Sequence, residues 1–222
     1  MSRAALAYDK LNPNVVSDLA IDLKALGSGG LLLDRSKLHH NASLSGPTWT
    51  QQANGLWTAD FDGTDDWGSI PQHSEFIFAG NMFIEMVVKG VLEGNGVFFN
   101  NGTVSGSHAN AFFYESANPY WQTRTNVLSF STAWVNNTWY HVILTRLSGV
   151  KYVYRNAVLN DSSAYATQIE CPSDIWLFRN AAAGTFYFAG SMALLAIGTS
   201  GLSQQDATNR YLKAKRRMPW IT

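Results

Sequence analysis

Charged side chains are scarce in this sequence, at 14 % of residues, against about a quarter in typical globular proteins. The formal net charge is zero, so no long-range field of one sign would attract nucleic acid or an anionic membrane surface. The surface must therefore consist largely of Ser, Thr, Asn, Gln, Gly and exposed aromatic residues. No nucleic-acid partner is therefore expected.

Cysteine and long apolar runs are also nearly missing. The only cysteine, Cys171, cannot form an internal disulfide, and beside Pro172 we expect it to pack as a small apolar residue. The first ten residues lack the apolar stretch of about 7–15 residues that a secretory signal peptide needs, so none is predicted. No uncharged apolar run approaches the length of about 18 residues that spans a bilayer, so no membrane insertion is expected.

Hydrophobic residues are abundant at 46 %, and aromatic residues make up 13 % with eight tryptophans. Alternating apolar and polar residues recur in short runs separated by Gly, Asn and Asp, which is typical of an all-β sandwich or barrel. Turn residues that tolerate positive φ include Asp62-Gly63, Asn101-Gly102 and Ser148-Gly149. The candidate strands are 19–23, 31–34, 56–61, 82–89, 97–100, 111–114, 121–125, 128–131, 139–146, 151–158, 175–178 and 186–197.

One helix is predicted near the carboxyl end. Ser203 and Asp206 match a capping box that opens a stretch through Leu212. The basic run at 213–217 then complements the helix dipole as a solvated helix end, or alternatively serves as a docking tail for an acidic partner. The apolar residues 218–221 are expected to pack on the rest of the protein.

Three segments in order resemble the laminin-G-like jelly rolls of the concanavalin A-like lectin/glucanase superfamily. Leu33-Asp34-Arg35-Ser36, then Trp49 and Phe61-Asp62-Gly63-Thr64-Asp65-Asp66, resemble the opening "D-x-S … W … F-D-G-x-D-D". Trp139-Tyr140-His141-Val142 with Tyr154-Arg155-Asn156-Ala157 is similar to "W-x-H-V … Y-x-N-G", although Ala157 replaces the glycine. Phe188-Ala189-Gly190-Ser191-Met192 with Leu202-Ser203-Gln204-Gln205-Asp206 resembles the closing "F-x-G-x-I … L-S-x-x-E".

The resemblance implies a two-sheet antiparallel jelly-roll sandwich, all-β apart from one short C-terminal helix. We accordingly divide the chain into an N-terminal arm or first strand at 1–28, the sandwich at 29–213 and a basic and apolar tail at 214–222. Members of such a family bind sugars, proteins or lipids and some cut polysaccharides, so the fold alone does not choose the function.

Catalysis by the glucanase route requires acids at alternate positions of one strand, in the pattern Glu-x-Asp-x-Glu, so that two carboxylates flank the glycosidic bond. The matching strand carries Glu85, but Val87 and Lys89 occupy the next two positions on that face. We therefore expect a surface ion pair between Glu85 and Lys89 and no catalytic residue. His39 and His40 are adjacent and point apart in a strand, which makes them a poor metal pair, and His141 is expected to be structural.

Acidic residues are densest between Asp60 and Asp66. Asp62, Asp65 and Asp66 offer the oxygen ligands that Ca²⁺ prefers, and some relatives implied by the resemblance bind it. The same Asp62-Gly63 pair also suits a tight turn without any ion. Both interpretations stay open, and no other cofactor is predicted.

Aromatic residues suggest the ligand. Flat rings stack on the apolar faces of sugars, and Tyr114, Tyr120, Trp121 and Trp134 lie in or beside segments rich in Asn and Ser. We predict these four as ligand-binding residues, although large aromatics are often core. The resemblance implies that Trp49, Trp57, Trp67 and Trp139 are core residues.

The sequence thus favours a non-catalytic recognition module for a glycan or cell-surface polysaccharide. The missing signal peptide suggests a virion surface or other extracellular placement, such as a bacteriophage head-decoration or tail-associated protein, with residues 1–28 contacting other virion subunits. A purely structural capsid-cementing protein without glycan binding is the alternative. A polysaccharide hydrolase or lyase with an unusual acid pair is a third hypothesis.

Overall fold

Two antiparallel sheets packed face to face form the fold, as the sequence and its resemblance predict. The computed structural model describes residues 15–19, 30–34, 36, 38–104, 107–123, 126–165, 173–180 and 185–221. Sixteen strands and one α-helix occur within these residues. Cys171 and most of the predicted N-terminal arm lie outside them.

Sheet A contains eight strands. Its strands are β1 (Val15–Leu19), β4 (Thr48–Gln51), β5 (Trp57–Asp62), β7 (Met82–Gly90), β12 (Trp139–Leu147), β13 (Val150–Arg155), β14 (Val158–Ala164) and β16 (Ala189–Gly198). The order is β14-β13-β12-β7-β16-β5-β4. On the edge of β16 opposite β7, β5 pairs with its first half and β1 with its second half.

Sheet B contains the other eight strands. They are β2 (Leu31–Leu32), β3 (Ala42–Ser45), β6 (Trp67–Ile70), β8 (Asn95–Val104), β9 (Ser107–Glu115), β10 (Asn118–Thr123), β11 (Asn126–Ser129) and β15 (Ile175–Leu177). The order is β11-β10-β9-β8-β15-β6-β3-β2. The chain crosses from one sheet to the other several times, for example from β5 in sheet A to β6 in sheet B. These crossings give the jelly-roll connectivity.

Alternation along the strands places one apolar face of each sheet in a shared core. In β7, Met82, Ile84, Met86 and Val88 all face this core. Aromatic side chains fill much of it, and the rings of Phe98 and Phe112 stack with centroids 4.5 Å apart. Burial of this apolar surface is the main source of stability.

Four observed strands were not separated by the sequence analysis, namely β3, β4, β6 and β14. All are short or polar, with sequences ASLS, TWTQ, WGSI and VLNDSSA, so period-two hydrophobicity is weak in them. The predicted strand at 151–158 is in fact a hairpin of β13 and β14. Conversely, Asn101-Gly102 lies inside β8 and not in a turn.

Two tight turns connect the strands at the far edge of sheet A. Ser148 and Gly149 have φ of 51° and 78° and join β12 to β13 with two residues, as predicted for this pair. Asn156 and Ala157 have φ of 51° and 65° and join β13 to β14 in the same way. Ala157 therefore occupies a left-handed position that glycine would adopt at less cost.

Helix α1 spans Gln204–Arg217 and begins with the predicted capping box, since Ser203 Oγ accepts from the Asp206 N–H and Asp206 accepts from the Ser203 N–H. It continues past the predicted end at Leu212, so the basic run 213–217 lies within the helix. Met218 and Ile221 beyond it pack with Val87 of sheet A. No helix in the described part of the chain has the length and apolar character needed to cross a membrane.

Glu85 is not the surface residue that the sequence analysis expected. Its side chain is fully buried on the outer face of sheet A, beneath α1. Oε1 lies 2.7 Å from Nε2 of His141, and Oε2 accepts from Nη1 of Arg210 at 2.5 Å. The expected ion pair with Lys89 is thus replaced by a buried network that joins the helix to the two central strands.

Lys151 is a second buried charge, located inside the sandwich on β13. Its Nζ donates to the backbone oxygens of Trp121 and Asn126 and to Oδ1 of Asn126, and it lies 4.3 Å from the centre of a Trp121 ring. Burial, and then the positive charge of Arg146, lower the pKa of Lys151 to about 7.

We predict that Arg210→Met lowers the free energy of unfolding by about 3–5 kcal/mol, because it leaves the Glu85 carboxylate buried with one fewer partner. Urea denaturation followed by tryptophan fluorescence measures the change. Arg216→Met, at an exposed position of the same helix, is the matched control and is expected to cost a few tenths of a kcal/mol. Equal losses in the two variants would contradict a stabilising role for the buried network.

The buried Lys151 predicts a pH-dependent stability. Its folded pKa of about 7 lies below the unfolded value near 10.4, so between these values the unfolded chain binds more protons. Stability should therefore rise from pH 7 to pH 10 by up to about 1.4 kcal/mol per unit relative to Lys151→Met. Urea denaturation of both proteins across this range measures the slope, and Lys215→Met on the exposed helix surface should leave it unchanged.

Candidate functional site

A pocket opens at one end of the sandwich, where β5 and β9 end and β8 begins. We call it the rim pocket; its volume is about 480 Å³. The lining residues are Asp62, Gly63, Val91, Glu93, Asn95, Tyr114, Thr185, Phe186, Tyr187 and Ala189. Strand ends and loops thus supply the walls, while the rigid sandwich beneath fixes their positions.

Phe186 presents an aromatic ring to this pocket. Its side chain is 45 % exposed, and its φ of 58° is a genuine outlier for a bulky residue. Two backbone hydrogen bonds hold the segment: Phe186 O accepts from Val97 N at 3.1 Å, and Thr185 O accepts from Asn180 N at 2.9 Å. A strained residue that exposes a large apolar ring is a feature that clusters at binding sites.

Tyr114 contributes the floor of the pocket. Its side chain is almost fully buried, and burial raises the pKa of its hydroxyl to about 12, so the group is protonated at any physiological pH. The ring and hydroxyl lie directly against Gly96, where a Cβ would stand 2.2 Å from the oxygen. Gly96 therefore leaves the space that Tyr114 occupies.

The charge of the pocket comes from two acids. Asp62 and Glu93 line it, and no lysine or arginine is among its lining residues. The Thr64 N–H donates to the Asp62 carboxylate at 2.7 Å, and this bond is the main reason that the pKa of Asp62 is lowered. The pocket is therefore negative at neutral pH.

The predicted calcium ligands are brought together beside this pocket. One oxygen of each of Asp62, Asp65 and Asp66 lies within 4.8 Å of the others. Burial, and repulsion by Asp62 and Asp65, raise the pKa of Asp66. However, Asp62 also accepts from the N–H groups of Thr64 and Asp65, and Asp66 Oδ2 accepts from Asp62 N. These bonds satisfy a tight turn by themselves, so the calcium site stays a prediction.

The four predicted ligand-binding aromatics are not gathered in one site. Trp121 is fully buried and Trp134 is 4 % exposed, and both belong to the main core, so neither ring has a face open to a sugar. Tyr120 is half-buried on the outer face of sheet B, where it stacks on Phe113. Tyr114 is the one of the four that lines the rim pocket, although it is 2 % exposed and belongs to the same core. A ligand role for the four residues stays a prediction.

Two tryptophans that were not predicted as ligand-binding residues are partly exposed. Trp67, expected in the core, is half-buried on the outer face of sheet B beside Trp176, with ring centroids 5.2 Å apart. The Arg179 guanidinium lies about 4.5 Å from both rings. The alternation of residues within β6 and β15 could have predicted that Trp67 and Trp176 face outward. Ile70 and Leu177 face the core, and each tryptophan is an odd number of positions away from them in its strand.

Sequence reasoning missed most of the rim pocket. Glu93, Asn95, Phe186 and Tyr187 lie in or next to loops, where no period marks the direction of a side chain. The strained φ of Phe186 has no sequence signature, since bulky residues rarely adopt it. Only the three-dimensional closure of the sandwich brings residues 62, 93, 114 and 186 to one place.

Comparison with protein families gives one match. A family model described as the concanavalin A-like lectin/glucanases superfamily matches residues 79–208, which is more than half of the chain. Comparison with curated proteins gives no match.

Solved structures with the same fold include toxin binding domains. The binding domain of Paraclostridial Mosquitocidal Protein 1 matches 89 % of this chain with a TM-score of 0.71 and 13 % identity, over 52 % of its own length. The binding domain of botulinum neurotoxin DC, in complex with rat synaptotagmin II, matches 90 % with a TM-score of 0.66 and 13 % identity, over 51 % of its length.

A third structure concerns the cell entry of botulinum neurotoxin type C through two ganglioside molecules; it matches 90 % of this chain with a TM-score of 0.63 and 13 % identity, over 51 % of its length. The chain thus spans about half the length of each of these three proteins. At such low identity these likenesses establish the fold of the chain.

We predict that Gly96→Ala lowers the free energy of unfolding by about 1–3 kcal/mol, because the new methyl group would overlap the Tyr114 hydroxyl and force the ring to move. Thermal or urea denaturation measures the loss. Gly94→Ala is not a clean control because Gly94 has positive φ, so we suggest Gly80→Ala, where a Cβ meets nothing within 4 Å. A Gly96→Ala variant as stable as wild type would contradict the tight contact.

Proposed function

This chain belongs to the concanavalin A-like lectin/glucanases superfamily, and from that premise we propose that it is a non-catalytic module that binds a neutral glycan in the rim pocket. The observation that carries the proposal is the exposed Phe186 ring, held at a strained φ above a pocket lined by hydrogen-bonding groups. The following arguments support it.

The chemistry of the lining suits a sugar. Phe186 offers an apolar face on which the C–H side of a pyranose ring can stack, and Tyr187 lies beside it in the chain. Asp62, Glu93 and Asn95 supply carboxylate and amide groups for sugar hydroxyls. This combination of aromatic surface and a few placed polar groups is typical of ligand pockets.

Charge narrows the class of glycan. Two carboxyl groups, Asp62 and Glu93, are among the described lining residues, and none of these residues is a lysine or arginine. An acidic sugar would therefore be repelled by like charge. Neutral hexoses and N-acetylhexosamines avoid that repulsion. The proposed ligand therefore differs in charge from the gangliosides named for the botulinum neurotoxin type C structure.

Binding is favoured over hydrolysis by the state of the acids. A glycosidase needs one carboxyl group whose pKa is raised so that it can donate a proton. The pKa of Asp62 is lowered instead. Asp66 has a raised pKa, but its carboxyl group is buried and bonded to the Asp62 N–H. Glu85, the acid on the strand that matches the glucanase pattern, is buried beneath α1. The binding domains among the similar folds also agree with recognition.

Placement on a bacteriophage virion, contacts with other virion subunits and the cementing role stay predictions. None of the described residues carries an observation that favours a particular assembly. The glycan proposal does not depend on them, because the rim pocket is formed within one chain.

The test is a glycan-array screen of the purified chain followed by calorimetric titration of the strongest neutral hits. We expect Phe186→Asn to weaken binding at least about tenfold, equivalent to roughly 1.4 kcal/mol, since Asn removes the ring and tolerates positive φ. Asp62→Asn and Glu93→Gln are expected to reduce affinity for neutral glycans and to relieve the discrimination against acidic ones. Leu212→Ala, an apolar residue 48 % exposed on α1, is the matched control.

Calcium and catalysis are tested in the same experiment. Binding that is lost with a chelator and in Asp65→Asn would support the calcium prediction, and release of reducing sugar from a bound oligosaccharide would support a hydrolase. If no glycan binds, or if Phe186→Asn binds as wild type does, the proposal is wrong and the cementing role becomes the better hypothesis.

A further inference from the structure

A second cluster of potential ligand groups lies at the other end of the sandwich. His40 lies two residues before β3. His73 and Glu75 follow β6, with His73 directly before a 3₁₀ turn at Ser74–Phe76 and Glu75 within it. Because β3 and β6 are paired neighbours, these segments meet at one edge of sheet B. One ligand atom from each of His40, His73 and Glu75 lies within 4.8 Å of the others.

His40 has a buried nitrogen without a partner. Its side chain is 8 % exposed, and among the described residues no group makes a hydrogen bond to its Nε2. The nearest acidic oxygen, Oε2 of Glu75, is 3.8 Å away, beyond hydrogen-bond range. A buried nitrogen without a hydrogen bond destabilises the folded state by about 1–3 kcal/mol. A bound ligand that contacts Nε2 would remove this cost.

Backbone and ring contacts position His40. Its backbone N–H donates to Asp34 Oδ2 at 2.7 Å, and the same carboxylate accepts from the Ser36 hydroxyl. The fully buried Phe76 meets the imidazole edge-on, with centroids 5.1 Å apart. The centroid of the His73 ring lies 3.8 Å from that of His40.

Metals bind imidazole through a ring nitrogen that is not engaged in another bond, and the buried Nε2 of His40 is such a nitrogen. The exposed neighbour His39 is turned away, with its Nδ1 directed at the Asp34 carbonyl oxygen.

We propose that His40, His73 and Glu75 form a binding site for one divalent first-row transition cation, with zinc as the representative. Two imidazoles and one carboxylate suit zinc, and imidazole ligands disfavour calcium and magnesium. A tetrahedral zinc with bonds of about 2.0–2.1 Å keeps its ligand atoms about 3.3 Å apart. The 3.8 Å between His40 Nε2 and Glu75 Oε2 is close to this separation. The rings of His40 and His73, whose centroids are 3.8 Å apart, would have to move apart for a nitrogen of each to face the ion, and water would complete the fourth position.

This site is independent of the rim pocket. Asp66 comes directly before β6 and His73 follows it, so the acidic loops and the histidine cluster lie at opposite ends of the same strand. A cation at the histidine cluster would tie the loop before β3 to the turn after β6. Its expected effect is stabilisation of this sheet edge by mass action, since the cation binds the folded chain preferentially.

The test uses the full chain without a histidine tag. Zn²⁺ titration by calorimetry is expected to show one site, and Co²⁺ is expected to give the visible absorption of a tetrahedral complex. Zn²⁺ should raise the melting temperature, whereas Ca²⁺ and Mg²⁺ should not. His73→Gln and Glu75→Gln, both at partly exposed positions, are each expected to weaken Zn²⁺ binding at least about tenfold.

Two controls separate this site from other sources of metal affinity. His39→Asn removes the adjacent histidine and keeps a residue that tolerates its φ of 56°, and Asp65→Asn alters the acidic loop; both should bind Zn²⁺ as wild type does. Absence of Zn²⁺ binding, equal binding of Ca²⁺, or unchanged affinity in His73→Gln would each overturn the proposal. His40→Gln adds a stronger test if it folds, but the result does not depend on it.

Discussion

The contact between Glu85, His141 and Arg210 decides which surfaces of this sandwich are available. Glu85 lies on β7, the strand between β12 and β16, and its carboxylate takes a charged partner from α1 and an imidazole from the neighbouring strand. An ionised group in so dry a place persists only if its partners are positioned well. The helix must therefore dock on sheet A in one register, with Arg210 also packed over Phe83.

Because α1 and the following residues cover that face, the glycan binding that we propose must occur elsewhere. Met218 and Ile221 extend the cover over Val87 and Trp139. Glu85 and Val87, which correspond to two acid positions of a glucanase strand, are buried there. The surfaces left for the proposed binding are the ends of the sandwich and the outer face of sheet B, where Trp67 and Trp176 are partly exposed.

The fold was predictable because its long strands are rich in apolar, β-branched and aromatic residues. Strands such as β7 and β12 combine such residues with clear turn residues at their ends, and the capping box at Ser203 and Asp206 marks the helix start. The polar strands β3, β4 and β14 were not separable, since their pairing with neighbouring strands and not their own hydrophobicity places them in the sheets. The turn at Asn156 and Ala157 was hard to predict for a related reason. Ala157 has a positive φ that glycine adopts more easily, and the hairpin of β13 and β14 fixes it in this conformation.

Side-chain direction, more than residue type, explains why the candidate site was only partly predictable. Trp121 and Trp67 have the same chemistry, yet one faces the core and the other the outer surface, because strand pairing sets which parity is buried. Likewise His40 and His39 are neighbours, but only His40 turns inward, toward a histidine 33 positions later in the chain. Neighbouring residues in the chain can thus face different surfaces, and each candidate cluster draws on segments that are separate in the sequence. Strand β6 lies between two of these clusters, since the acidic residues Asp65 and Asp66 precede it and His73 and Glu75 follow it.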